Sequence, residues 1–137
     1  MVKFKDRVLG VGAGVITSDN PPSDKTVAQA EEKLGVKFGT ELKGYLREVG
    51  FAIGAREMYG MTERQGNASD LVRYTAILHT SIPALKGYVV IEELSDDRYA
   101  VCNSDDEVFV VVVDRDTTFQ PTGLKVMDYV ISRMSVA

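Results

Sequence analysis

Between Tyr88 and Asp114 the sequence holds three β-rich runs separated only by short turn-forming clusters, and this pattern restricts the fold more than any other feature. The runs are Tyr88-Val89-Val90-Ile91-Glu92, Arg98-Tyr99-Ala100-Val101-Cys102 and residues 107–114, and the clusters are Ser95-Asp96-Asp97 and Asn103-Ser104-Asp105-Asp106. Connections this short join antiparallel neighbours, because a parallel crossover needs about a dozen residues or more. The pattern therefore predicts a strand meander. Residues 108–113 are apolar at every position, which predicts a central strand covered on both faces.

Helices have to supply that cover. One is predicted over residues 24–34, capped by Ser23, Asp24 or Thr26, with Val27, Ala30 and Leu34 at helical spacing and Gly35 just past its end. A second runs from Thr40 or Glu41 to Val49, with Leu42, Tyr45, Leu46 and Val49 on one face and Gly50 as its stop. Each is too short to be stable alone, so the pair must pack on the sheet. Residues 53–61 can supply a further strand. Residues 69–79 read as a helix with Leu71, Tyr74, Thr75 and Leu78 on one side, and Thr122 caps a closing helix containing Leu124, Met127, Ile131 and Met134. Residues 1–21 read as an N-terminal strand or ordered arm, softened by Gly10, Gly12 and Gly14 and ended by Asn20-Pro21-Pro22-Ser23. The order predicts an α+β fold: a central, mainly antiparallel sheet with a strand meander, flanked by an N-terminal helix pair and a C-terminal helix.

The 137 residues form one domain, large enough to bury roughly 70% of the surface of the unfolded chain without staples. No apolar run approaches the ~18 residues of a membrane span. The basic start at Met1-Val2-Lys3-Phe4-Lys5 is followed by Asp6 and then the three glycines, which is not a signal-peptide pattern. Cys102, the single cysteine, has no internal partner, so a reducing cytoplasm is the expected compartment. The net charge of −4 is unevenly placed: residues 92–116 carry nine Asp/Glu against two Lys/Arg, a local balance of −7. Such a stretch repels nucleic acid and attracts basic surfaces; the plainer alternative is that these are solvated turn residues.

The chain also resembles a known family. Val27-Ala28-Gln29-Ala30-Glu31, with Leu34-Gly35 following, then Leu42, Tyr45-Leu46 and Gly50, is similar to the two opening helices of the SUKH superfamily of Smi/Knr-type domains. Met58-Tyr59-Gly60-Met61 sits where that family has a short apolar-glycine segment, and residues 82–92, 99–102 and 108–114 resemble its strands. Residues 124–130 resemble its last helix, so the likeness spans about residues 22–134. Gly39 stands where the family usually has proline, Val49 where asparagine is common, and Cys102-Asn103 replaces a frequent Leu-Asp. The resemblance implies a protein-binding domain without a catalytic residue. Bacterial members are immunity proteins that block toxins delivered between cells, many of them nucleases; fungal members regulate cell-wall synthesis.

Candidate chemistry is sparse. Gly10-x-Gly12-x-Gly14 departs from the dinucleotide fingerprint, with Val15 in place of the third glycine and Pro21-Pro22 against an early helix. A hydrolytic triad would need His79, the only histidine, with Ser81 or Cys102, and no strand–turn–helix signature supports one. One histidine and one cysteine do not make a typical zinc site. Asp114-x-Asp116 could hold a metal but also ends a strand, where acids are ordinary turn formers. Asn67-Ala68-Ser69 is a glycosylation sequon that a cytoplasmic chain would not expose to the machinery.

The reading is therefore an immunity protein, an antitoxin that neutralises a basic, nuclease-like toxin by occlusion, with no catalytic residue, cofactor or metal and no direct contact with nucleic acid or membrane. The alternative is a regulatory scaffold akin to the fungal members. The expected partner-binding residues are Glu93, Asp96, Asp97, Asp105, Asp106 and Glu107 at the meander turns, with Tyr59 and Tyr99 as aromatic anchors.

Overall fold

A computed structural model describes residues 4–10, 14–54, 56–63, 70–114 and 116–135. Its helix pair begins as the local signals require. Helix α2 (Asp24–Leu34) is capped by Ser23, whose Oγ accepts from the Thr26 N–H at 3.3 Å. It closes on Gly35 in the left-handed region (φ +66°), with Val36 N–H returning to the Glu31 carbonyl. The Glu63 carboxylate also accepts from Ser23 and Thr26, bonds that hold its pKa below the ordinary carboxylate value.

Helix α3 (Thr40–Glu48) has no cap of its own, because its N-cap residue is Gly39. Its first N–H groups are taken from a distance: the Asp106 carboxylate accepts from Glu41 N at 2.9 Å and Leu42 N at 3.0 Å. A Cβ at position 39 would overlap that carboxylate, so glycine is required there. Asp106 itself is only 6% exposed and adopts φ +64°. Its carbonyl accepts from Val126 N at 3.0 Å, the first residue of helix α5 (Val126–Met134). Glu41 completes the knot by accepting from Met127 N at 2.9 Å, which caps α5 in turn.

Helix α1 (Phe4–Gly10) and strand β1 (Ile16–Thr17) replace the strand or arm expected over residues 1–21. Phe4 and Val8 lie four apart on the buried face of α1, and the Phe4 ring meets Tyr45 at 6.2 Å. Gly10 is the last residue of that helix, and Gly12 lies outside the described residues, as does the sequon at 67–69. β1 pairs antiparallel with β2 (Ala52–Ile53), and β2 with β3 (Glu57–Met58). The single strand expected over residues 53–61 is thus a small hairpin. Beyond it Gly60 packs against the Gly50 carbonyl so closely that no Cβ would fit. Helix α4 (Leu71–Ser81) starts at Asp70, whose carboxylate accepts from Val72 N and Arg73 N.

The meander has four strands, β4 (Val89–Ser95), β5 (Arg98–Cys102), β6 (Glu107–Val113) and β7 (Thr117–Lys125), hydrogen-bonded in that order. β7 corrects the expectation that Thr122 opens the closing helix. Thr122 lies within β7 and donates from Oγ1 to the Val108 carbonyl at 2.8 Å, while α5 starts at Val126. Pro121 and Gly123 read as breakers, but an edge strand tolerates a residue without an N–H. The interior strand β6 is only partly covered, with Val108 and Val111 buried and Phe109, Val110, Val112 and Val113 half-buried. Full cover falls instead on β5, where the consecutive residues Ala100, Val101 and Cys102 are all buried and so fill both faces. On the Val101 face Tyr88, Phe109 and Phe119 form an aromatic group, Tyr88 and Phe119 at 4.8 Å.

On the Ala100 face the buried Glu92, 2% exposed, meets Arg133 of α5 in a two-pronged pair, with both N···O distances 2.9 Å. Tyr129 donates to the same carboxylate at 2.8 Å; burial, then Glu92, push its phenol pKa up, so it stays a donor.

Asp106→Ala leaves two N–H groups at the start of α3 without an acceptor, and a loss of about 2–4 kcal/mol is expected, read from urea unfolding. Gly39→Ala should also destabilise, by about 1–3 kcal/mol, because its methyl displaces the carboxylate; a Gly39→Ala protein as stable as the parent contradicts the cap. Arg133→Met should lower stability by roughly 2–3 kcal/mol, less than a fully buried pair because Arg133 is partly exposed, and adding Glu92→Met should recover most of it.

Candidate protein-binding surface

In an antiparallel meander successive turns fall at opposite ends of the sheet. The β4–β5 turn carries Asp96 and Asp97, and the β5–β6 turn, residues 103–106, lies at the other end, about 15 Å away along the five-residue β5. The β6–β7 turn returns to the first end and brings Asp114 and Asp116 with it. Val113 N–H donates to the Asp97 carbonyl at 2.7 Å and ties the two turns of that end together. The acidic surface expected as one patch is therefore two.

At the first end Glu93, Asp96, Asp97, Asp114 and Asp116 are all exposed. Asp97 accepts from Ser95 Oγ at 3.0 Å, a bond that shapes the turn. Tyr99, half-buried, stands opposite Glu93 in the register and donates to the Asp96 carbonyl at 3.2 Å. Burial first, then Glu93, Asp96 and Asp97, raise its phenol pKa, so this ring sits inside the negative field of the patch. Arg98 is exposed at the same end, so the acids outnumber the described basic residues there without being alone; a tyrosine in such a setting suits an interface anchor.

The second end is occupied with holding the fold. Asp106 is not a surface residue, since its carboxylate is buried on the α3 N-terminus. Asn103 Oδ1 accepts from Asp105 N and Glu107 N at 3.0 Å each, and Asn103 Nδ2 donates to Glu107 Oε1 at 3.0 Å. Asp105 and Glu107 are exposed, but Lys125 faces Glu107 across the ladder.

Tyr59 is not a projecting anchor either, being only 8% exposed. Its ring stacks on Tyr74 at 4.6 Å, its N–H donates to the Ile91 carbonyl and its own carbonyl accepts from Tyr45 Oη. It lines a recess of about 280 Å³ together with Arg56, Glu57, Glu92 and Glu93, beside the acidic end. Asp114 and Asp116 join the patch only because β7 exists, a strand that the sequence pattern does not announce; alternation of turns in a meander is the signal that places them. Arg56 and Glu57 come from a different sheet, and no spacing pattern points to them.

The interior groups considered for chemistry are engaged in packing. His79 is largely buried with Nε2 2.7 Å from the Tyr88 carbonyl, an acceptor only, so Nε2 carries the proton. Cys102 is fully buried, and burial, then Asp106, push its thiol pKa up. Among the described residues no group of three or more His, Cys, Asp or Glu is arranged to hold a metal, and no helix is long and apolar enough to cross a membrane. A larger groove, about 370 Å³, runs between α2 and α4 past the exposed Ile77.

No curated protein matches the chain. A family model, SUKH_5, described as SMI1-KNR4 cell-wall, matches residues 6–121. The match takes in α1 and β1, the region expected as an arm, and ends within β7, before α5. It spans well over half of the sequence, and with the helix pair and meander in place the chain belongs to the SUKH family of SMI1-KNR4 domains.

Proposed function

We propose that this SUKH domain is an immunity protein: in the bacterial cytoplasm it binds a cognate toxin domain, delivered from another cell, and silences it by covering its working surface. The observation that carries the reading is the gathering of Glu93, Asp96, Asp97, Asp114 and Asp116 around Tyr99 at one end of the sheet. A nuclease domain that grips phosphates is basic, and opposite charge speeds encounter with such a surface. Occlusion asks only for a stable interface of about 800 Å² on each partner. In this reading the chain catalyses nothing, holds no cofactor or metal, and touches neither nucleic acid nor membrane.

The matched family, which is named for the cell wall, favours a second reading: a regulatory domain that binds an endogenous protein, as in fungal cell-wall-synthesis regulators. Coexpression with the product of the adjacent gene separates the two. Immunity requires that this product be toxic alone and tolerated, and co-purified, with the chain; a harmless neighbour argues for regulation.

In the complex, Asp97→Lys combined with Asp114→Lys should slow association about tenfold or more at low salt. Asp105→Lys should change it by less than about twofold, because salt and distance screen the far end. Stopped-flow rates that treat the two ends alike would remove this surface assignment. Asp106→Lys belongs in no such comparison, since it attacks the α3 cap.

A further inference from the structure

The recess beside the acidic end has a lining that occlusion by charge alone leaves unused. Its floor, Glu92, is saturated by Arg133 and Tyr129. Glu93, by contrast, is exposed, and its carboxylate makes no hydrogen bond or ion pair with any described residue. Tyr59 is more than nine-tenths buried, with its N–H, carbonyl and ring face all engaged. Its hydroxyl is the polar group left over: it has no hydrogen-bond partner among the described residues, and since no buried polar side-chain atom there lacks one, its oxygen is the part of Tyr59 that solvent reaches. Tyr59 and Glu93 line the same recess, and burial first, then the Glu93 charge, raise the pKa of this phenol, so it stays protonated. A fixed ring whose accessible hydroxyl shares a recess with an unpaired carboxylate is a half-made polar site.

We infer that the recess is a socket for one guanidinium group, an arginine side chain of the protein partner, held by the Glu93 carboxylate and the Tyr59 hydroxyl oxygen. The planar fork of a guanidinium presents several N–H donors at once and can reach both acceptors, which the point charge of an ammonium does less well. Arg56 lines the same recess, has no ion pair among the described residues, and opposes the incoming charge. The identity of the arginine's owner rests on the proposed immunity reading; the chemistry of the socket does not.

The test is a titration of the full chain with N-acetyl-arginine methylamide, followed through the backbone amide NMR signals of Glu57, Tyr59, Glu93 and Tyr99. Saturable shifts are expected, absent with the neutral citrulline analogue and weaker with the lysine analogue. Tyr59→Phe and Glu93→Gln should each weaken binding by about fivefold or more, the loss of one charged or charge-assisted hydrogen bond. Arg56→Gln should strengthen it by about threefold through removal of a like charge. Tyr59→Phe breaks no internal hydrogen bond, so its thermal midpoint should match the parent and folding cannot explain its effect. Shifts that do not saturate, that citrulline reproduces, or that ignore both variants overturn the socket. Saturable binding without any toxin captured leaves the socket standing and removes the immunity reading. A toxin captured at rates and affinity indifferent to Tyr59→Phe and Glu93→Gln does the reverse.

Discussion

The Asp106 carboxylate, buried against the start of α3, is the contact on which the rest of the architecture turns. Helix α3 begins with a glycine and has no local acceptor for its first N–H groups, so its N-terminus is complete only when the β5–β6 turn is in place. The same turn residue receives Val126 N–H, and Glu41 of α3 caps α5. Two helices and a turn thus satisfy one another, and none of the three is finished alone. Because α5 carries Tyr129 and Arg133 to Glu92, the placement of the buried charge on β4 follows from this knot as well.

The acidic stretch that dominates the sequence between residues 92 and 116 resolves into groups with different work. Glu92 and Asp106 are inside, each neutralised or hydrogen-bonded, as a buried charge must be. Asp105 and Glu107 belong to a turn organised by Asn103. The remainder are exposed at one end of the sheet and form no ion pair among the described residues. Net charge along a sequence therefore overstates what a partner meets. What it meets is the set of acids that strand alternation gathers, together with the half-buried Tyr99.

The interior groups with reactive side chains are engaged in the structure. The histidine and cysteine that could have served as reactive groups are held by a carbonyl and by packing. Most polar side chains of the interior are hydrogen-bonded to structure, while the concavities at the surface, the polar recess by Tyr59 and the groove between α2 and α4, remain open to an occupant.

Local chemistry wrote the helix pair and the meander into the sequence legibly: Ser23 and Gly35 bound α2, Gly50 ends α3, and the β-rich runs between short acidic turns require antiparallel pairing. These signals act over a few residues, so they survive without knowledge of the fold. Less legible are α1, whose short apolar face precedes a misleading glycine series, and β7, whose Pro121 and Gly123 are breakers in an interior strand but acceptable at an edge. The position of a strand in its sheet is not a local property. Nor is the destination of a side chain: Asp105 and Asp106 are neighbours of the same type in one turn, and only the approach of Gly39, more than sixty residues earlier, draws one of them into the interior. Sequence alone determined the helix pair, α4 and the antiparallel pairing of β4, β5 and β6; tertiary structure decided which acids remain at the surface, because burial and hydrogen bonding across the chain, and not residue type, set whether a carboxylate is available to a partner.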